Sequence, residues 1–462
     1  MNLIQDIARR HAPESIAIIR RERSLSYGEL FKSANRVALE IRTACEPLGR
    51  HPRVGLRCPD GLDYIILAMG ILLADGCLVP LAEELTTEER DEVTRITALD
   101  AILEGNDRGH TLTSLLPPAP EFPEEEFQAL NPAFIRFSSG TTGRSKGVVL
   151  SHETLLARIT AANRGLQIGP GDRVLWMLPL AHHFAVSIVL YLHAGAVTIL
   201  EPSAAREDIL QTAESHRATI MYGSPFHYSM LAADPGNFRW PTLRLAVATA
   251  SALPEKTAQQ FQERFDQALV QGLGIIEVGL SVLNLEEAEN NPTAIGKALP
   301  DYDVRLLNEE GQEVPPGEPG EFHIKGPGLL DAYLVPWNPQ PTENGYFASG
   351  DLVTRDSTGL LTLVGRSKSI INVAGMKVFP EEVEAVLNQH PAVQASRVKG
   401  QDHPHTGQIP VAEIIPDQAA ARPRPAELQR YCRKQLSAYK IPLRFAFVDD
   451  LPRTASGKIR RI

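Results

Sequence analysis

"FIRFSSGTTGRSKGVVLSH", residues 134–152, is the stretch on which the reading of this chain turns. Apolar and β-branched residues on either side read as two strands. Between them stand Ser138, Ser139, Thr141, Thr142 and Ser145, the glycines Gly140, Gly143 and Gly147, and the cations Arg144 and Lys146. Hydroxyls, accessible backbone N–H groups and a lysine suit polyanionic oxygen, and glycine lets backbone approach it closely. The mononucleotide P-loop GxxxxGK[ST] does not fit. No glycine precedes Lys146, Gly147 follows it, and the next element reads as a strand where a P-loop opens a helix. The stretch is therefore a phosphate-gripping loop between two strands; a solvated Gly/Ser hairpin is the plainer alternative.

Composition bounds what lies around that loop. The chain has 462 residues, 43% hydrophobic and 22% charged, the mix of an ordinary globular protein, and its length calls for more than one folding unit. Lysine and arginine number 46 against 56 aspartates and glutamates, a formal charge of −10 without a basic block, which argues against a nucleic-acid partner. Cys45, Cys58, Cys77 and Cys432 stand far apart, as idle thiols of a reducing compartment do. The opening "MNLIQDIARRHAPES" reads as an amphipathic surface helix and not a signal peptide. "YIILAMGILLA" (64–74) falls short of the roughly 20 residues of a membrane span and reads as a buried helix. A cytoplasmic location is the expectation.

Short β-branched runs ("RVGLRC", "CLVPL", "AFIRFS", "GVVLS", "RVLWML", "AVTILE", "TIMYG", "LRLAVAT") alternate with helical patterns at 26–45, 153–166 and 254–269. That alternation predicts an α/β architecture with stacked, mostly parallel sheets and a site at strand ends. From about residue 295, Gly/Pro-punctuated strands predict a small β-barrel or twisted sheet. The segment after 379 reads helix, strand, strand, helix, strand, a small mobile α+β unit. The joint is placed near "GRSKS", giving 1–368 as a nucleotide- and acyl-binding domain and 369–462 as a C-terminal domain. "LLPPAPEFPEEEF" (115–127) reads as a surface connection.

With "FSSGTTGRSKG" in view, the chain resembles the adenylate-forming superfamily: acyl- and aryl-CoA synthetases, peptide-synthetase adenylation domains and luciferases. Four further stretches match in the family's order: "LPLAHHF" (178–184), "GLGIIEVG" (272–279), "SGDLV…GRSKSIINVAGMKVFPEEVE" (349–384) and "LPRTASGKIRR" (451–461). The resemblance implies that Ser138, Ser139, Gly140, Thr141, Thr142, Gly143 and Lys146 grip the phosphates of ATP, with Gly274 beside the nucleotide. It implies that Asp351, with Arg366, takes the ribose hydroxyls, and that Glu277 and Thr141 hold Mg2+. An acid set among apolar residues, as Glu277 is, is costly unless it meets a cation. Lys458 is implied as the catalytic lysine, a point cation that offsets the charge arising when a carboxylate attacks the α-phosphorus. His182 is implied as a gate near the reacting carbonyl. His183, Phe184, Tyr222, Gly223 and His227 are candidates for the acid pocket, and Gly375 for the face that admits a pantetheine arm.

The sequence also departs from that family. Leu273 stands where an aromatic ring is usual, Ile276 where a threonine is, and Ser369, Asn372, Thr249 and Ala250 differ too. Ala185, uncharged where amino-acid-activating relatives carry an aspartate, argues against an amino-acid substrate and for a fatty or aromatic acid. The expected activity is ATP-dependent formation of an acyl-AMP and transfer to a thiol, either CoA or acyl-carrier-protein pantetheine. The alternatives are the same adenylation with another ending, such as ring closure of a hydroxy acid, or a degenerate nucleotide- or acyl-binding sensor.

Overall fold

Strands buried on both faces build the larger part of the molecule. The computed structural model describes residues 1–106, 109–115, 122–137, 146–203, 205–249, 251–417 and 420–452. One nine-stranded sheet runs in the order Lys297–Ala298, Gly279–Leu283, Leu269–Ile275, Leu245–Ala248, Ile220–Gly223, Arg173–Trp176, Val197–Leu200, Ile16–Arg20, Arg23–Ser26. Its central pairs are parallel and its edges antiparallel. A second sheet of seven strands runs Ala332–Tyr333, Val148–Ser151, Pro132–Arg136, Cys77–Pro80, Arg53–Arg57, Ala101–Asn106, Gly109–Ser114. Four-residue runs such as Val197–Leu200 and Leu245–Ala248 are wholly buried, which is what parallel strands covered by helices require.

The helices follow their caps. Ser26 and Glu29 form a capping box at the start of Tyr27–Cys45, and Ser151 caps His152–Leu166. Leu62–Leu73 is buried at every position but Asp63. The opening helix, Leu3–Arg10, is amphipathic as expected, and it docks firmly through fully buried Leu3, Ile4 and Ile7. Two expectations need correction. The helix expected over 254–269 ends at Phe265, because Asp266 turns into the left-handed region (φ 55°) and Leu269 already belongs to a strand. The expected surface connection 115–127, of which Leu115 and 122–127 are described, is anchored in the core: Phe127 is fully buried, and Glu124 opens a short helix and pairs with Arg53, while Glu125 and Glu126 are exposed.

Beyond residue 300 a four-stranded antiparallel sheet is built from Asp303–Leu307, Gly320–Lys325, Phe347–Arg355 and Leu361–Arg366. The C-terminal part has its own sheet, Met376–Val378, Ile371–Val373, Gly407–Pro416 and Val393–His403, with Arg444–Phe447 parallel to Gly407–Pro416. Helices Pro380–Asn388 and Pro425–Arg433 cover it, around a separate core that includes Ile371, Val383, Leu387, Ile414, Leu428 and Cys432. The architecture is α/β: a large N-terminal portion of stacked sheets with an added antiparallel sheet, and a small α+β C-terminal portion. All four cysteines are free and buried. Among the described residues, no helix is long and apolar enough to cross a membrane.

Candidate active site

The strands Pro132–Arg136 and Val148–Ser151 pair antiparallel, with Arg136 opposite Val148, so the hydroxyl-rich stretch between them does join two strands. Ser138, Ser139, Gly140, Thr141, Thr142 and Gly143 lie outside the described residues, as does Lys458. The shoulder of the loop is described. Lys146 places its Nζ 4.6 Å from the centre of the Tyr333 ring, and the Tyr333 hydroxyl donates to Glu277 Oε1 at 3.1 Å. Burial first, and Glu277 second, push the Tyr333 phenol far above its ordinary range, so it stays a donor. Glu277 sits in the turn between Leu269–Ile275 and Gly279–Leu283, a partly buried carboxylate with acceptor capacity beyond that one bond. This donor set suits a hard divalent cation bound jointly with phosphate oxygens. Among the described residues there is no cluster of three or more metal-ligating side chains.

Asp351 and Arg366 are cross-strand neighbours, joined Nε to Oδ1 at 2.8 Å, and the aspartate is buried while the arginine is half-exposed. Ser349 Oγ accepts the Asp351 backbone N–H, which fixes the turn before the carboxylate. A held, buried carboxylate of this kind fits a vicinal diol.

Next to Glu277 the two large sheets enclose a cavity of about 90 Å3. His182, His183, Tyr222, Gly274 and Ile276 line it, together with Ala185 and apolar side chains such as Phe134, Leu150 and Leu190. Tyr222 stacks on Trp176 with ring centres 5.5 Å apart, and His183 meets the edge of the same indole at 5.3 Å. His182 faces Glu84 at 3.1 Å. Burial, helped by Arg136, lowers its pKa against the pull of Glu84, which favours a neutral imidazole. Directly after these histidines, Phe184–Ile188 forms a π-helical turn, a local widening that sets Ala185 and Ser187 against the cavity.

Four other candidates do not line this cavity. Phe184 is fully buried and packs edge-on against Tyr64, 6.1 Å away. His227 accepts the Ser224 backbone N–H through Nδ1 and so caps the helix Pro225–Ala232. At Gly223 an added Cβ would make only ordinary contacts, the nearest at 3.4 Å, so space does not demand glycine there. Gly375 is at the tip of the hairpin between Ile371–Val373 and Met376–Val378, where φ 83° favours glycine. Leu273 and Ile276 are partly buried, and Thr249 joins the cavity wall.

Sequence reading missed Tyr333 and two arginines. Arg158, on the buried face of the helix His152–Leu166, donates through Nε and Nη2 to the Gly328 carbonyl (2.9 and 2.6 Å) and through Nη1 to that of Ile276 (2.9 Å). Gly279 and Gly328 have φ of 91° and 77°, and a Cβ on either would come within 2.6 Å of Arg158 side-chain carbons, so these glycines clear its path. Arg158 thus pins the turn that carries Glu277. Arg136 ends its strand in the cavity wall. The available signal was a cation inside an apolar run, "FIRF" and "LLARITAA".

Comparison with known proteins agrees with this layout. The chain matches the AMP-binding enzyme family over residues 4–334 and the AMP-binding enzyme C-terminal domain over 382–458. It is 29% identical to a feruloyl-CoA synthase of Amycolatopsis sp over 479 aligned positions, covering 97% of this chain and 95% of that protein. It is 30% identical to a sulfoacetate–CoA ligase of Cupriavidus necator over 76% of this chain and 69% of that one. The crystal structure of ATP-bound MatB from Rhodopseudomonas palustris superposes with a TM-score of 0.89 at 25% identity, covering 100% of this chain and 97% of that chain. The chain belongs to the AMP-binding enzyme family, among its AMP-forming acid–thiol ligases.

Proposed function

We propose that this enzyme converts a fatty or aromatic carboxylic acid with ATP to an acyl-adenylate and pyrophosphate, then transfers the acyl group to a thiol with release of AMP. The observation that carries the reading is the adjacency of an apolar, aromatic-walled cavity to Glu277 and to the shoulder of the loop that follows Arg136. In this reading the loop from Ser138 and Lys146 hold the phosphates, and Asp351 with Arg366 holds the ribose. Glu277 and Thr141 bind Mg2+, which neutralises phosphate charge when bound. Lys458 stabilises the charge that gathers at the α-phosphorus. His182 gates the cavity mouth, and His183 and Tyr222 contact the acid. CoA is the favoured acceptor, since curated relatives carry CoA ligase names; a carrier-protein pantetheine is the alternative acceptor.

The test incubates the enzyme with ATP, magnesium, a panel of fatty and aromatic acids, and either CoA or a pantetheinylated carrier protein, read by mass spectrometry. At least one acid is expected to give a thioester and AMP. Lys458→Ala is expected to slow pyrophosphate release by about 10²–10³. Tight ATP binding with no pyrophosphate from any acid would defeat the proposal.

A further inference from the structure

We propose that Arg136 is the anchor for the carboxylate of the acid, a partly buried guanidinium to which no described residue gives a counter-charge in contact. The inference rests on the acid-activating function above. Arg136 is the last residue of the strand Pro132–Arg136 and lies on the same face as Phe134, and both side chains line the cavity. Its Nη1 donates to the His182 carbonyl. Its Nε is shut off from solvent and has no hydrogen-bond partner among the described residues. No carboxylate among those residues lies within 4.0 Å of it. Glu277 acts on it through space, while that carboxylate is engaged by Tyr333.

Burial brings the Arg136 pKa down to about 10, still far above neutrality, so the group stays charged. A buried cation costs several kcal/mol unless it is paired. Elsewhere the molecule meets that cost: Arg158 gives three hydrogen bonds to carbonyls, and Arg53 meets Asp100 and Glu124. At Arg136 the missing partner is an anion that arrives with a ligand. Ala162, Leu166 and Leu190 give the cavity an apolar lining, so the anion must ride on an apolar body. A guanidinium fork fits a carboxylate in the plane. Arg136 holds the His182 carbonyl and feels the charge of Glu277, which places that carboxylate at the reacting end of the acid. A purely structural Arg136 would only hold the His182 turn, and its loss would weaken charged and neutral ligands alike.

The test uses the full chain without ATP and follows the thermal midpoint with 4-hydroxycinnamate, benzoate and decanoate, each beside its uncharged carboxamide. At least one acid is expected to raise the midpoint of the wild type where its amide does not. Arg136→Met is expected to weaken binding of that acid at least about 30-fold and leave the amide unchanged, with Arg136→Lys restoring part of the preference. If Arg136→Met does not fold, the Arg136→Lys and Arg136→Gln pair carries the same comparison, since only lysine keeps the charge. Equal stabilisation by acid and amide, an acid preference that survives in Arg136→Met or Arg136→Gln, or no response of the wild type to any of the three acids would each overturn the proposal. Charge preference lost with Arg136 in an enzyme that releases no pyrophosphate would uphold the anchor and refute the activity.

Discussion

Two regions of the molecule draw arginines partly or wholly out of water and treat them in opposite ways. At the start of the strand Arg53–Arg57, in the seven-stranded sheet, Arg50 takes Asp100 in a two-pronged grip (2.8 and 2.6 Å), and Arg53, fully buried, takes Glu124 at 2.8 Å while lying 4.1 Å over the Phe122 ring. Even there one nitrogen, Arg53 Nη2, makes no hydrogen bond among the described residues, yet Asp100 is 3.8 Å away. At the cavity, Arg136 has one carbonyl and no carboxylate in contact among the described residues. The difference is one of charge and not of hydrogen-bond count. The first region is closed on itself, a staple between strand ends and the helix Glu124–Ala129; the second is left open toward a cavity.

The contrast can be broken or sharpened by measurement. The largest effect belongs to the closed region. Arg53→Met strands Asp100 and Glu124 with only Arg50, and is expected to cost about 3 kcal/mol in urea unfolding with turnover per folded molecule unchanged. A smaller loss than that of an exposed pair would erase the distinction between the two regions. A third way of burying a titratable group is to keep it neutral. His152 accepts the Leu3 backbone N–H at 3.3 Å, and burial lowers its pKa to about 4, with Glu153 and Asp75 opposing and the N-terminus and His51 assisting. The unfolded chain then takes up the proton first, so stability is full above the ordinary histidine range and falls as pH drops toward 4. About 2 kcal/mol is expected to be lost between pH 8 and pH 5, a loss absent in His152→Gln when both are titrated by urea unfolding. The smallest effect belongs to the exposed pair Lys377–Glu309, 2.5 Å apart and half or more exposed on both sides. Glu309→Gln is expected to leave the unfolding midpoint where it was, and a clear shift would mean that this contact between the C-terminal part and the rest is more than a surface ion pair.

Much of the fold could be read in the chain because burial on both faces leaves an unbroken apolar run. Every parallel strand expected from runs such as "TIMYG" and "AVTILE" is present, and the helix at Tyr27 starts where Ser26 and Glu29 announce it. The overrun at 265 arose because an aspartate in the left-handed region ends a helix without the glycine that usually signals it. At the site, legibility tracked chemistry that is local. Asp351 opposite Arg366 and Glu277 in a tight turn come from short motifs. Tyr333, Arg136 and Arg158 are defined by what they meet across the fold, 56 residues away for Tyr333 and Glu277, and 118 for Arg158 and Ile276. His227 illustrates the converse: a ring that reads as a ligand contact is used to close a helix end.

The bolt formed by Arg158 has a consequence for anyone wishing to change which acid is accepted. The helix His152–Leu166 supplies one side of the cavity through Ala162 and Leu166, and the same helix grips the carbonyls of Ile276 and Gly328. Recarving that side to admit a bulkier molecule would drag on the segment bearing Glu277. Room is better made at Leu190 and Tyr191, on the helix Val189–Ala194, from which no hydrogen bond runs to Glu277 among the described residues.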